Sequence, residues 1–166
     1  FGDATKASGL QAASIPFTGW GTQSLDANLD GWPDLVIANG HVDDYTDEGG
    51  EYHMRPQCFR NRNGRFQEQL PENVGPWFAE KYLGRGLARV DWNMDGLPDF
   101  VVSNINSPLA VMENTSTNAC HYLKIKLVAT QTARDAIGAR VSLHISGRNV
   151  TRQLTSGDGY MASNER

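Results

Sequence analysis

The chain has 166 residues, of which 39% are hydrophobic and 20% are charged, and its formal net charge is −4. This balance is typical of a folded globular protein and excludes wholesale disorder. The negative charge, without a Lys/Arg cluster among aromatic residues, argues against a nucleic-acid partner. No apolar run reaches the roughly 18 residues that would predict a membrane span. Because the chain begins with Phe1 and has no signal-peptide pattern, we expect a processed product or a fragment.

An internal repeat organises the first two thirds of the chain. Phe1 and Phe66 each precede by 25 residues an aspartate, Asp26 or Asp91, that opens the same nonapeptide pattern. Each copy contains short β-like runs between Gly, Asn, Asp and Pro turns, without a sustained helical period. Four short strands in a repeat of about 50 to 65 residues are typical of one propeller blade, and a closed propeller has roughly four to eight blades. The sequence therefore predicts an all-β fold with an incomplete β-propeller of about two blades, completed by the rest of a longer chain or by another protein.

The two copies differ in length after their nonapeptides. Strands are predicted directly behind the nonapeptides, over 35–38 and 100–103. Each copy ends in a similar triplet, and the distance from the nonapeptide to this triplet is 12 residues longer in the first copy than in the second. We therefore predict an insertion within 40–55 of the first copy. The triplets are Phe59-Arg60-Asn61 and Met112-Glu113-Asn114.

Each nonapeptide has the pattern of a loop that binds a hard cation. Oxygen-bearing side chains stand at positions 1, 3, 5 and 9, and glycine at position 6 allows a sharp backbone turn. Three carboxylates in one small loop repel one another unless a cation neutralises them, so Ca²⁺ is the expected ligand, and the backbone carbonyl of position 7 is a further oxygen donor. The predicted ligands are Asp26, Asn28, Asp30, Trp32 and Asp34 in the first copy, and Asp91, Asn93, Asp95, Leu97 and Asp99 in the second.

The flanking sequence favours loops between β-strands over EF-hand loops. An EF-hand loop carries a bidentate glutamate at position 12 and has a helix on each side. Position 12 is Ile37 or Val102 here, each within a β-branched run, and the proline at position 8 opposes a continuing helix. The two loops are therefore predicted to connect neighbouring strands.

A second, smaller β domain is predicted after a polar linker at 115–119. Alternation of apolar and polar residues predicts strands over 121–128, 141–145 and 150–154. We expect two blades with their calcium loops over 1–118 and part of a small β domain over 119–166.

The repeat pattern F-x-x-x-T…G-x-G…D-x-N-x-D-G-x-P-D resembles the FG-GAP/VCBS repeats of integrin-α-like propellers. Residues 134–141 and 156–160 resemble the ASPIC/UnbV domain, and the two modules together resemble bacterial proteins related to cartilage acidic protein. The resemblance implies two Ca²⁺ sites, held by the Asp and Asn side chains of the nonapeptides. It also implies an exported protein with an adhesion or scaffold role and without established catalysis.

Three functional hypotheses follow. The leading one is a calcium-binding, extracellular or periplasmic β-propeller module with a binding, adhesion or scaffold role, and not an enzyme. The second is an accessory subunit of a larger extracellular or membrane-associated assembly, in which partner proteins complete the propeller. The third is a metal-dependent hydrolase that uses His41, Asp43, Asp44 and His53 of the insertion, although an acidic surface loop is the favoured interpretation of that segment.

The two cysteines, Cys58 and Cys120, stand far apart and form no CxxC pair, which argues against a zinc or redox site. A buried free thiol is favoured for Cys58, and a disulfide between the two is the alternative. Asn114 and Asn149 begin N-glycosylation sequons, which matter only if the protein is secreted through a eukaryotic pathway.

Overall fold

The computed structural model describes residues 1–117, 120–145 and 147–165. In these ranges, strands account for 34% of the residues and helices for 9%, and the strands form three antiparallel sheets, none of which is closed. The predicted all-β class and the incomplete propeller are confirmed. Within the described ranges, no helix is long and apolar enough to cross a membrane.

The first sheet is a blade of four antiparallel strands in sequence order. Its strands are β1 (Gly19–Leu25), β2 (Asp34–Asn39), β3 (Gln57–Arg62) and β4 (Arg65–Glu68). Buried and more exposed residues alternate along β1 to β3, as expected for strands that cover a core with one face. The hairpin from β3 to β4 turns at Asn63 and Gly64, whose positive φ angles of 55° and 83° suit a type I′ turn.

The second sheet repeats the first three strands of the first. Its strands are β5 (Gly84–Val90), β6 (Asp99–Asn104) and β7 (Ala110–Met112). Leu25 pairs with Asp34 at the end of β1, as Val90 pairs with Asp99 at the end of β5. The pairing is also irregular near the start of both β1 and β5. The sequence repeat therefore corresponds to a repeated strand arrangement.

The two sheets meet along β1 and β5. A Cβ on Gly21 of β1 would lie 2.5 Å from the carbonyl oxygen of Arg85 and 2.5 Å from the nitrogen of Leu87, so only glycine permits this approach. Of the short helical segments, α1 (Gln11–Ser14) has no buried residue, while a 3-10 turn at Pro76–Ala79, just after α2 (Pro71–Val74), brings Phe78 into the core. The core cluster consists of Leu25, Val36, Ala38, Phe78, Leu87, Phe100 and Val102.

The sheets do not begin and end at the same residues as the copies of the sequence repeat. Phe66 opens the second copy of the repeat in sequence, but it lies in β4 and pairs with Asn61 of β3. The tight turn at Asn63 and Gly64 folds this strand back onto the first sheet. One sequence repeat therefore contributes to two neighbouring sheets.

The predicted insertion is confirmed between β2 and β3. This connection spans 40–56, whereas the equivalent connection between β6 and β7 spans only 105–109. It contains a 3-10 turn at Thr46–Glu48, and Met54 near its end forms a β-bridge with Tyr82. The insertion thus leaves the sheet and returns to it beside the start of the second blade.

The C-terminal part contains a hairpin of β8 (Arg140–Ile145) and β9 (Arg148–Gln153), which confirms two of the three predicted strands. The third prediction, a strand over 121–128, is wrong, because this segment has no regular secondary structure. Its residues alternate as a strand requires, but no described strand pairs with its backbone, and alternation alone cannot satisfy backbone N–H and C=O groups. The boundary predicted between 118 and 119 falls on residues outside the described ranges.

A buried glutamine joins the C-terminal segment to both blades. Gln23 of β1 is 3% exposed, and its Nε2 donates to the carbonyl oxygens of Leu87 and Asp158, over 3.0 Å in each case. Its Oε1 accepts a hydrogen bond of 2.8 Å from Asn164 Nδ2, and Asn164 Oδ1 accepts one of 2.7 Å from the backbone N–H of Arg89. Residues from three separate parts of the chain therefore meet at one side chain.

Candidate metal-binding loops

The two nonapeptides form equivalent loops between paired strands. Loop 1 (26–34) links β1 to β2, and loop 2 (91–99) links β5 to β6. The backbone is left-handed at position 4, where φ is 56° for Leu29 and 60° for Met94. It is left-handed again at position 6, where φ is 84° for Gly31 and 85° for Gly96. Side chains such as Leu and Met rarely adopt this conformation, so its recurrence indicates that the rest of each loop imposes it.

The carboxylates at positions 1 and 5 accept hydrogen bonds from backbone N–H groups of their own loop. These bonds hold both carboxylates against the turn and prevent them from extending into solvent. In loop 1 the donors are Asp30 (2.9 Å) and Gly31 (2.7 Å) to Asp26, and Trp32 (2.9 Å) to Asp30. In loop 2 they are Gly96 (3.4 Å) to Asp91 and Leu97 (2.8 Å) to Asp95.

The aspartate at position 9 ties each loop to the third strand of its blade. Asp34 Oδ1 accepts a hydrogen bond of 2.7 Å from the backbone N–H of Asn61, and Asp99 Oδ1 accepts one of 2.7 Å from that of Asn114. Asp34 is 4% exposed and Asp99 is fully buried. The same asparagines donate from Nδ2 to the proline carbonyl that precedes each aspartate, over 2.8 Å in loop 1 and 3.4 Å in loop 2. Position 9 is thus a structural anchor in both blades.

The asparagine at position 3 has an unused acceptor in loop 1. Asn28 Nδ2 donates to Asp30 Oδ2 over 2.9 Å, but Asn28 Oδ1 is buried and has no donor. A buried polar atom without a partner costs about 1–3 kcal/mol, which a bound cation would offset. In loop 2, Asn93 makes the same bond to Asp95 Oδ2 (2.9 Å), and its Oδ1 accepts a bond of 3.1 Å from the backbone N–H of Asp95.

Burial raises the pKa of two carboxyl groups in loop 1. It is the largest cause of the raised pKa of both Asp26 and Asp34, and the negative charge of Asp30 raises both further. Backbone hydrogen bonds, from Gly31 to Asp26 and from Asn61 to Asp34, oppose part of the shift. Each carboxylate is therefore less stable as an anion than it would be in water, and a cation among them would relieve that cost.

The segment that follows the second blade covers both loops. The backbone N–H of Cys120 donates to the carbonyl oxygen of Asn28 in loop 1, over 3.3 Å. At loop 2, the ring of Tyr122 lies where a Cβ of Gly96 would be. Lys124 Nζ lies 3.6 Å from Asp91 Oδ2. The segment predicted as a strand therefore serves as a cover for the loops.

The donor chemistry of the loops fits a hard, oxygen-preferring cation. Within the described ranges, no three His, Cys, Asp or Glu side chains gather closely enough to form a metal centre by themselves. A cation would need the asparagine oxygen at position 3 and backbone oxygen as well, which is the mixed oxygen set that Ca²⁺ takes. The buried, unpaired Oδ1 of Asn28 is such an oxygen. The residues of loop 1 therefore fit Ca²⁺, and loop 2 supplies the same residue types.

In the insertion, the candidate catalytic residues make local contacts, and the charge of His53 acts on Asp44. His41 Nδ1 lies 2.9 Å from the carbonyl oxygen of Asp43, and Asp44 Oδ1 accepts a hydrogen bond of 2.7 Å from the Thr46 hydroxyl. His53 packs edge-on against Tyr52, with ring centroids 5.1 Å apart. Each group is engaged in local turn structure, which accords with the favoured interpretation of an acidic surface loop.

Both cysteines are free, so the disulfide alternative is wrong and the free thiol favoured for Cys58 is confirmed. Cys58 is half-buried in β3 and Cys120 is exposed. Sequence reasoning missed the anchoring role of Asn61 and Asn114, although both triplets of the repeat end in these residues. It also missed Glu165, whose Oε2 accepts a hydrogen bond of 2.7 Å from the backbone N–H of Asp91.

Two family models match the chain. Residues 26–102 match the FG-GAP-like repeat, a range that begins with loop 1 and includes loop 2. Residues 129–166 match the ASPIC and UnbV family, a range that includes the β8–β9 hairpin and the C-terminal segment at Gln23. No curated protein and no solved structure matches the chain. The chain therefore contains an FG-GAP-like repeat followed by a region that matches the ASPIC and UnbV family, as the resemblance of its sequence predicted.

Proposed function

We propose that this protein is a calcium-binding β-propeller module with a binding, adhesion or scaffold role outside the cytoplasm, and that it is not an enzyme. The observation that carries the proposal is the buried, unpaired Oδ1 of Asn28 in a loop of three aspartates. The same left-handed positions and carboxylate hydrogen bonds in loop 2 support a second site. An all-oxygen donor set favours Ca²⁺ over transition metals.

Each loop would hold Ca²⁺ through its aspartates, its asparagine and the backbone carbonyl of position 7. The cation would supply positive charge, and so would offset the burial and the charge of Asp30 that together raise the pKa values of Asp26 and Asp34. Because Asp34 also binds the backbone of Asn61, a neutralised loop would hold β2 and β3 together more firmly. Calcium would thus stabilise the platform on which a partner binds.

The matched family supports our proposal for the location, and one open sheet edge supports our proposal for the partner. FG-GAP-like repeats are typically extracellular, which supports a place in the extracellular space or the periplasm. In the first blade β4 covers β3, whereas no described strand pairs with the outer side of β7. An uncovered edge of this kind accepts a further strand. We propose that the missing strand comes from the remaining blades of a longer chain or from another protein.

Thermal unfolding with Ca²⁺ and with chelator tests the calcium proposal. A ligand that binds only the folded state stabilises it by RT ln(1 + [L]/Kd), or about 2.7 kcal/mol at a hundredfold excess over Kd. We therefore expect a higher Tm in Ca²⁺ than in EDTA, and a smaller difference in Mg²⁺, which demands more rigid octahedral coordination.

The variant Asp30→Ala provides the matched control. It should remove the uptake of Ca²⁺ by loop 1 and leave loop 2 able to bind, so that calorimetric titration detects one site in place of two. An unchanged Tm together with no heat of Ca²⁺ binding in the unsubstituted protein would refute the proposal.

A further inference from the structure

Side chains of opposite charge occupy equivalent places beside the two loops. Arg60 and Glu113 each directly precede the asparagine that donates its backbone N–H to the aspartate at position 9. This bond is 2.7 Å long from Asn61 in the first blade and 2.7 Å long from Asn114 in the second. The same place in the repeat thus carries a cation at loop 1 and an anion at loop 2.

Each of these side chains reaches the loop of its own blade. Arg60 Nη2 lies 3.8 Å from Asp30 Oδ2 at position 5, and Arg60 Nε is buried without an acceptor. Glu113 Oε1 accepts a hydrogen bond of 3.3 Å from Asn93 Nδ2 at position 3. Loop 1 therefore has a positive charge where loop 2 has a fourth carboxylate.

The other charges near the loops do not cancel this difference. At loop 2, Lys124 Nζ lies 3.6 Å from Asp91 but 2.8 Å from Glu165, so this pair adds no net charge. At loop 1, the positive charge of Arg152 acts on Asp26 and adds to that of Arg60. Loop 1 is the more buried loop, so a cation loses more hydration there and meets a stronger repulsion from Arg60, and both effects oppose the gain from the unpaired Asn28 Oδ1.

We propose that Arg60 and Glu113 give the two loops unequal calcium affinities, with loop 2 binding Ca²⁺ more tightly than loop 1. This inference rests on the proposed function and assigns a residue that tunes each site. Calcium affinity depends on the number of charges at a site. One partly exposed charge changes the affinity roughly two- to fivefold at low salt, so the two loops should differ by roughly tenfold.

Two single-loop variants allow each affinity to be measured separately by calorimetric titration with CaCl₂ at low salt. Asp30→Ala leaves loop 2 and Asp95→Ala leaves loop 1. We expect the Asp30→Ala protein to bind Ca²⁺ roughly tenfold more tightly than the Asp95→Ala protein. Within these backgrounds, Arg60→Glu should tighten loop 1 by roughly fivefold and Glu113→Arg should weaken loop 2 by a similar factor.

The milder changes Arg60→Gln and Glu113→Gln should give smaller effects in the same directions, and they keep the test valid if charge reversal prevents folding. Lys81→Glu is the matched control, because Lys81 is exposed and precedes β5, at the end of that strand opposite loop 2, and because the substitution makes the same change in net charge. It should shift either affinity by less than about twofold.

The inference is overturned if the two single-loop proteins bind Ca²⁺ equally, or if Arg60→Glu has no larger effect than Lys81→Glu. Those results would leave calcium binding itself intact. If neither single-loop protein nor the unsubstituted protein binds Ca²⁺, the proposed function fails, and this inference fails with it.

Discussion

The environment of Cys58 connects a loop carboxylate to the reactivity of a neighbouring strand. Cys58 lies in β3 and pairs with Val36 of β2, a strand that begins at Asp34. Burial raises the pKa of the Cys58 thiol to about 12, and the negative charge of Asp34 contributes to the rise. A thiol that stays protonated at neutral pH is a poor nucleophile, so Cys58 acts as a packing residue.

We predict that a thiol reagent at pH 8 modifies Cys120 rapidly and leaves Cys58 unmodified in the folded protein. The exposure of Cys120 and the raised pKa of Cys58 are the reasons. Absorbance of the released thiolate, before and after denaturant, measures both. In a Cys120→Ser variant the native signal should vanish, and rapid native labelling of that variant would contradict the prediction.

The same thiol affects stability at high pH. In the unfolded chain Cys58 ionises near its ordinary pKa of 9.0, whereas in the folded state it retains its proton until about 12. The folded state therefore binds more protons between these values, and the contribution of this group to stability falls as the pH rises from about 9 towards 12.

At the scale of single elements, loop 2 and the segment 120–128 depend on each other. Gly96 has a φ of 85°, and a Cβ on it would collide with the ring of Tyr122. The segment was predicted as a strand because its residues alternate, but its ring packs on a glycine of the loop. Two separate constraints therefore require glycine at position 96: the positive φ of the backbone and the contact with the Tyr122 ring.

We predict that Gly96→Ala destabilises the protein by more than Gly64→Ala does. Gly64 also has a positive φ, of 83°, but nothing lies within 4 Å of a Cβ placed on it. Gly64→Ala should therefore cost only the backbone strain, about 1 kcal/mol, whereas Gly96→Ala adds the collision with Tyr122. Denaturant unfolding of both variants provides the comparison.

The double variant Gly96→Ala/Tyr122→Ala separates the backbone strain at position 96 from the collision with the Tyr122 ring. Removal of the ring should eliminate the additional loss of unfolding free energy, so that the remaining destabilisation is close to that of Gly64→Ala. Equal destabilisation by the two glycine variants would show that the ring does not rest on loop 2 in solution.

At the scale of the whole molecule, Gln23 holds the C-terminal segment against both blades. Gln23→Glu keeps the shape of the side chain but directs an oxygen, in place of an amide donor, at the carbonyl oxygens of Leu87 and Asp158. We predict a loss of about 2 kcal/mol or more, because these two carbonyl oxygens lose their donor and face a carboxylate oxygen in a buried place. Amide hydrogen exchange across 158–165 should also become faster.

Thr22→Ala is the control for this prediction, since Thr22 is exposed on the same strand. It should leave both stability and exchange nearly unchanged. If Gln23→Glu destabilises the protein without faster exchange in 158–165, the glutamine stabilises the blades alone and does not hold the C-terminal segment.

The sequence predicted the features that depend on local patterns. Loop positions, the strands behind them and the β8–β9 hairpin follow from residue types at short spacing. The strand over 121–128 was wrong because a strand also needs a partner, which local alternation does not show. Gln23 could not be predicted as a junction, because Asn164 and Asp158 stand 141 and 135 residues away from it. Partners at that separation are fixed only by the folded arrangement.

The offset between sequence repeat and sheet determines where such a chain can be divided or lengthened. A cut before Phe66 would follow the sequence repeat, yet it would strip β3 of its outer neighbour and leave a bare edge. A cut after Glu68 would keep the first sheet whole. The sequence repeat is 65 residues long, from Asp26 to Asp91. If gene duplication added further repeats, the first strand of each repeat would pair within the sheet of the preceding blade. In such an array each blade would share a strand with the next sequence repeat, so no blade would be complete without its neighbour.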